Sequence, residues 1–137
     1  MNTPKEKRAA LLTAIAAAIG YGGWAVYANS DHGVHAFIIA GLVQATYAFF
    51  STFFITHVAQ RTFVKYDCGV RGVLAGFGAS FVVMLAIPIT VHNIMGTPEI
   101  LHTILPGLIW GSIYLLGVLI SLQSSQKNLE KNPEKIR

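Results

Sequence analysis

Apolar residues run along this chain in four long blocks separated by short polar breaks. The blocks extend from about Ala9 to Ala28, Val34 to Val58, Val70 to Ile94 and Pro98 to Leu122. A helix needs about 20 apolar residues to cross a hydrocarbon core about 30 Å thick, at a rise of about 1.5 Å per residue. Every block is long enough, and none alternates apolar and polar residues as barrel strands do. Lipid cannot satisfy backbone hydrogen bonds, so each block must be helical to span it. The pattern predicts an all-α integral membrane protein with four transmembrane helices. The breaks at 29–33 and 96–98 are short and predict two antiparallel hairpins. Thr97-Pro98-Glu99 reads as a helix start, with Thr97 as N-cap, Pro98 in the first turn and Glu99 near the positive end of the dipole. Residues 1–122 are expected to form the membrane domain. Residues 123–137, polar and containing Pro133, are expected to form a flexible basic tail.

Charge gives the blocks a direction. All ten Lys and Arg residues fall in three groups. Lys5, Lys7 and Arg8 precede the first block; Arg61, Lys65 and Arg71 lie between the second and third; Lys127, Lys131, Lys135 and Arg137 follow the fourth. In a four-span topology all ten lie on one side, while the opposite breaks hold only Asp31 and Glu99. The excess of Lys and Arg on cytoplasmic segments then predicts both termini in the cytoplasm of an inner (plasma) membrane. A net charge of +4 raises the possibility of a nucleic-acid partner. The distribution argues against it, because the basic residues are juxtamembrane clusters rather than a continuous patch.

Composition agrees: 53% of residues are hydrophobic and only 12% charged, against about 25% charged in soluble domains. Asn29-Ser30-Asp31-His32 after the first block is not a small-residue cleavage site, so that block is read as a retained helix. The lone Cys68 cannot form an internal disulfide.

Small residues mark where helices can approach closely in lipid. Gly72, Gly76 and Ser80 form a stripe at spacing four in the third block, and Ala14, Ala18 and Gly22 form one in the first, which reads as a central packing element. Two further faces are expected to point into protein: Gly41, Gln44, Ala48, Ser51, Ile55 and Val58 in the second block, and Thr103, Gly107, Trp110, Tyr114, Gly117 and Ser121 in the fourth. Phe49, Phe50, Phe53 and Phe54 suit lipid or a neighbouring subunit. Gly41–Thr46 resembles Gly107–Ser112 at an offset of 66, a hint of an internal repeat. With so little interior available, the chain is expected to work as a homo-oligomer or with a membrane-protein partner.

No Asp, Glu, Lys or Arg lies at mid-membrane; Arg71 and Glu99 stand at the very start of their blocks. Small multidrug transporters have this size and span number but depend on a Glu in their first helix, which is absent here. Gln44 is the deepest strongly polar residue. With Tyr47, Ser51 and Tyr114 it marks either a polar path or hydrogen bonding between helices. Four of the five histidines, His32, His35, His92 and His102, fall near the acidic breaks together with Glu99. Imidazole and carboxylate groups at one level are donors for a zinc or copper ion, or for a pH-sensitive gate. No other cofactor is implied. No nucleophile elbow, phosphate loop or cysteine cluster is present, so an enzyme is not expected. The reading is a small transporter, channel or lipid translocator. Its alternatives are a scaffold subunit of a larger envelope complex and a histidine-based metal or pH sensor.

Overall fold

The computed structural model describes residues 4–131, without the side chains of residues 5–7 and 9. It is all-helical: α1 (Pro4–Ala28), a single 3-10 turn (Ser30–His32), α2 (Val34–Lys65), α3 (Val70–Ile94) and α4 (Ile100–Lys131). All four helices are long and apolar enough to cross a membrane. The third block is found with the expected ends. α2 and α4 run further than expected, to 32 residues each. At about 1.5 Å per residue each is about 48 Å long, well beyond a hydrocarbon core of about 30 Å. The extra turns carry Arg61 and Lys65 on α2 and Lys127 and Lys131 on α4. The segment after Leu122 begins as a continuation of α4, and residues 132–137 lie outside the described residues.

The turns follow from local backbone chemistry. Gly96 has φ +68°, and its N–H donates to Asn93 O (3.2 Å) while Thr97 N–H donates to His92 O (2.9 Å). That is a Schellman closure of α3 with glycine in the left-handed position. At the end of α2 the same role falls to Asp67 and Cys68, both at positive φ, with Cys68 N–H bonded to Phe63 O. Gly33 (φ +89°, ψ +161°) makes the sharp entry into α2, a conformation nearly confined to glycine.

Packing depends on the small residues. A Cβ on Gly22 would lie 2.8 Å from Ala45 Cβ, and one on Gly41 would lie 2.5 Å from Val26 Cγ2, so α1 and α2 cross at backbone distance. A Cβ on Gly72 would come within 2.7 Å of Phe63 O, and one on Gly76 within 2.9 Å of Ala59 O. The α3 stripe is longer than expected. Gly72, Gly76, Ser80, Met84, Pro88 and His92 are all buried at a constant spacing of four. The α2 face is buried or half-buried as expected, and Phe50, Phe53 and Phe54 point outward.

Two expectations fail. α1 is not central: it packs on α2, touches α4 much less, and makes no contact with α3 among the described residues. On α4 the expected face holds at its start, with Thr103 buried and Gly107 half-buried, but further along the interior face is rotated by about one residue. Ile104, Leu115 and Leu119 are buried, whereas Trp110, Tyr114, Gly117 and Ser121 are exposed. The apolar core of Ala59, Phe63, Met84, Leu115 and Leu119 joins α2, α3 and α4 only.

Candidate functional site

Two polar nodes lie where the 29–33 and 95–99 turns meet, here termed the paired-turn end. The first is Asn29, fully buried. Its Nδ2 donates to Ala25 O (2.9 Å) and Thr103 Oγ1 (2.8 Å), and its Oδ1 accepts from the Glu99 N–H (3.0 Å). Thr103 Oγ1 donates to Glu99 O (2.6 Å). The first turn of α4 is thus capped by a side chain at the end of α1 rather than by Thr97. A helix leaves its first N–H groups without partners inside the helix, and in an apolar setting a partner must come from elsewhere.

The second node is His92, also fully buried. Its Nε2 lies 2.9 Å from Gln44 Oε1 and its Nδ1 lies 2.8 Å from Thr97 Oγ1. A carbonyl oxygen only accepts, so this pairing puts the ring proton on Nε2 and makes Nδ1 the acceptor for the Thr97 hydroxyl. Thr97 therefore holds His92 twice, through its backbone and through its side chain.

Each proline inside a helix leaves one carbonyl free four residues earlier. Pro88 frees Met84 O, and Tyr47 OH of α2 donates to it (3.4 Å). Pro106 frees His102 O, and Trp24 Nε1 of α1 donates to it (2.8 Å). Both lost bonds are replaced by aromatic donors from another helix. The spacing of four and the aromatic residues were visible in the chain; their pairing across helices was not.

Away from the paired-turn end, α1 and α4 flank a cavity of about 220 Å³. Gln44, Tyr47, Ser51 and Tyr114 all line it, so the structure brings the expected polar residues together. Thr13 and Tyr21 of α1, Thr52 and Thr56 of α2, and Trp110 of α4 extend the polar lining; these had not been singled out as a group. Trp110 and Tyr114 are 63% and 51% exposed, so the cavity is a lateral cleft with its mouth beside α4. Among the described residues, no Asp, Glu, Lys, Arg or His side chain lines it. Of the Gln44–His92–Thr97 node, Gln44 lines the cavity.

The histidines do not converge. His92 is drawn into the bundle with both ring nitrogens engaged. His32 Nε2 lies 3.5 Å from Glu99 Oε1 at the surface. His35 and His102 are exposed. Among the described residues no three His, Cys, Asp or Glu side chains come together as a ligand set.

Fold and cleft together define a class: a small all-helical protein with four membrane-length helices and an uncharged side pocket. Comparison with protein-family models, curated proteins and solved structures finds no match for this chain.

Proposed function

We propose that this protein is a small membrane carrier that admits an amphipathic molecule from the plane of the bilayer into the cleft between α1 and α4. The observation that carries the reading is the cleft itself. It is mostly apolar, has hydroxyl groups on one wall and opens sideways, as a site filled from lipid would. The buried Gln44–His92–Thr97 node at one end argues for a carrier or lipid translocator over an open channel. In the cell the chain would be arranged as two antiparallel hairpins in the inner membrane, with the basic ends of α2 and α4 and both termini in the cytoplasm. It would act as a homo-oligomer.

The test is leaflet-to-leaflet movement of tail-labelled glycerolipids in proteoliposomes, run alongside release of an entrapped small solute. Accelerated lipid movement is expected, with rates returning to those of protein-free vesicles in Gly107→Leu, which fills the cleft. Solute release without lipid movement would assign a channel instead, and neither activity would remove the carrier reading.

A further inference from the structure

Gln44 is 1% exposed, and only one end of its amide is used within the protein. Oε1 faces His92, whereas Nε2 has no hydrogen-bond partner among the described residues and is turned toward the cleft. It lies beside Gly107, where a Cβ would come 3.5 Å from it. An amide donor that faces the cleft and is not used inside the protein is available to a bound acceptor.

Further along α2, the same wall offers the complementary chemistry. Ser51 and Thr52 both donate to Ala48 O, at 3.2 and 2.9 Å. Their protons are used inside α2, which leaves oxygen lone pairs able to accept from a ligand. The mouth carries Trp110 and Tyr114, whose rings suit the apolar face of a sugar as well as an acyl chain. Among the described residues the lining has no carboxylate, ammonium, guanidinium or imidazole to pair with a charged head.

We propose that the cleft binds the head of an uncharged, hydroxyl-bearing lipid of the glycosyl diacylglycerol type. Gln44 Nε2 donates to a head-group oxygen, the α2 hydroxyl oxygens accept from head-group hydroxyls, and the acyl chains leave between α1 and α4. This names the substrate class of the carrier reading above and rests on the same cleft.

The experiment is equilibrium binding to the full chain in phosphatidylcholine nanodiscs. The two probes are monoglucosyl dioleoylglycerol and dioleoyl phosphatidylglycerol, which share their acyl chains and differ in head-group charge. The uncharged lipid is expected to bind at least about tenfold more tightly, because the charged head loses water and gains no partner. Gly107→Ala places a methyl group in ordinary contact with Nε2, where the ligand oxygen would have to stand. It leaves the Gln44–His92 bond in place. It is expected to weaken binding of the glucosyl lipid about fivefold, the worth of one net hydrogen bond, with no loss of thermal stability. Free glucose forms the second arm and is expected not to displace the lipid. Equal affinity for both heads, preference for the phosphate head, or wild-type affinity in Gly107→Ala would overturn the assignment. Displacement by glucose as readily as by lipid would overturn its lipid part. Tight, selective binding without leaflet-to-leaflet movement would sink the carrier reading and leave this site standing. Movement of other lipids without selective binding would do the reverse.

Discussion

The two ends of this bundle are held by different physics. At the paired-turn end Asn29, Gln44, His92, Thr97 and Thr103 are buried in two hydrogen-bonded sets at 2.6–3.0 Å, one joining the end of α1 to the start of α4 and the other joining α2 to α3. At the end holding the α2–α3 turn, contact is apolar and depends on Gly72 and Gly76 letting α3 lie against the backbone of α2, with Leu119 of α4 closing over Gly76. Only the first arrangement includes α1. In lipid, apolar surfaces gain little by meeting, so a helix stays where hydrogen bonds or close backbone packing hold it. α1 is tied to α4 near the paired-turn end, through Asn29 and Trp24. The cleft opens between the same two helices, away from these ties.

The largest effect is expected at the glycine-packed end. Gly72→Leu or Gly76→Leu would drive a side chain against a backbone carbonyl that cannot turn away. Each should cost about 3 kcal/mol, at the upper end for overpacking, read as loss of resistance to unfolding by sodium dodecyl sulfate. Gly78, with open space around it, is the internal control. Gly78→Leu should change stability by less than about 0.5 kcal/mol. Equal losses at positions 76 and 78 would show that close approach is not what holds this end.

At the polar end the expected loss is smaller but changes the shape of the cleft. Asn29→Leu removes two donors and one acceptor and leaves the Glu99 N–H without its partner, a cost of about 2 kcal/mol. α1 should then move relative to α4. Spin labels at Ile19 and Ile113, both exposed, would report a longer and broader distance distribution than in the parent. An unchanged distribution would mean that α1 is positioned by α2 alone.

This contrast explains how much could be read from the chain. Four membrane-length helices were legible because the length of an apolar run is a one-dimensional property. The α3 stripe was legible for a similar reason, since spacing four on one helix places residues on one side of it. Part of the cleft's polar lining was legible, because Gln44, Tyr47 and Ser51 interrupt an apolar helix, whereas Thr13, Tyr21, Thr52 and Thr56 gave no such signal. Two kinds of information were hidden. The face of α4 depends on its rotation against α3, and Trp110 and Tyr114 sit at the edge of the interior stripe, where a shift of one residue, about 100°, moves them outside. The histidines shared a level along the bundle, and level says nothing about azimuth. His92 turns inward to Gln44 while His32, His35 and His102 stay at the surface. Asn29 gave no signal either, because a polar residue after a membrane helix ordinarily finds water.

The Gln44–His92 pair sharpens the comparison at about 1 kcal/mol. Gln44→Leu and His92→Leu each leave one buried partner without its bond, whereas the double variant removes both. The double loss should fall short of the sum of the single losses by about 1 kcal/mol, the typical worth of a hydrogen bond between membrane helices. Additive losses would show that the 2.9 Å contact contributes nothing and that the paired-turn end rests on Asn29.

The smallest effect concerns the two carbonyls freed by proline. Trp24 holds His102 O at 2.8 Å, but Tyr47 reaches Met84 O only at 3.4 Å, near the limit of a useful bond. Tyr47→Phe should therefore cost only about 0.5 kcal/mol, at the low end for a hydrogen bond. Its value lies in the background. Pro88→Ala restores an N–H four residues after Met84, so the carbonyl regains a partner within α3 and no longer needs the tyrosine. Tyr47→Phe should then be neutral in Pro88→Ala and mildly destabilising in the parent. The same cycle with Trp24→Phe and Pro106→Ala should show the larger coupling, about 1 kcal/mol, because its bond is shorter. If both aromatic variants cost the same with and without the prolines, the two donors hold the helices by ring packing alone, and the freed carbonyls find their partners elsewhere.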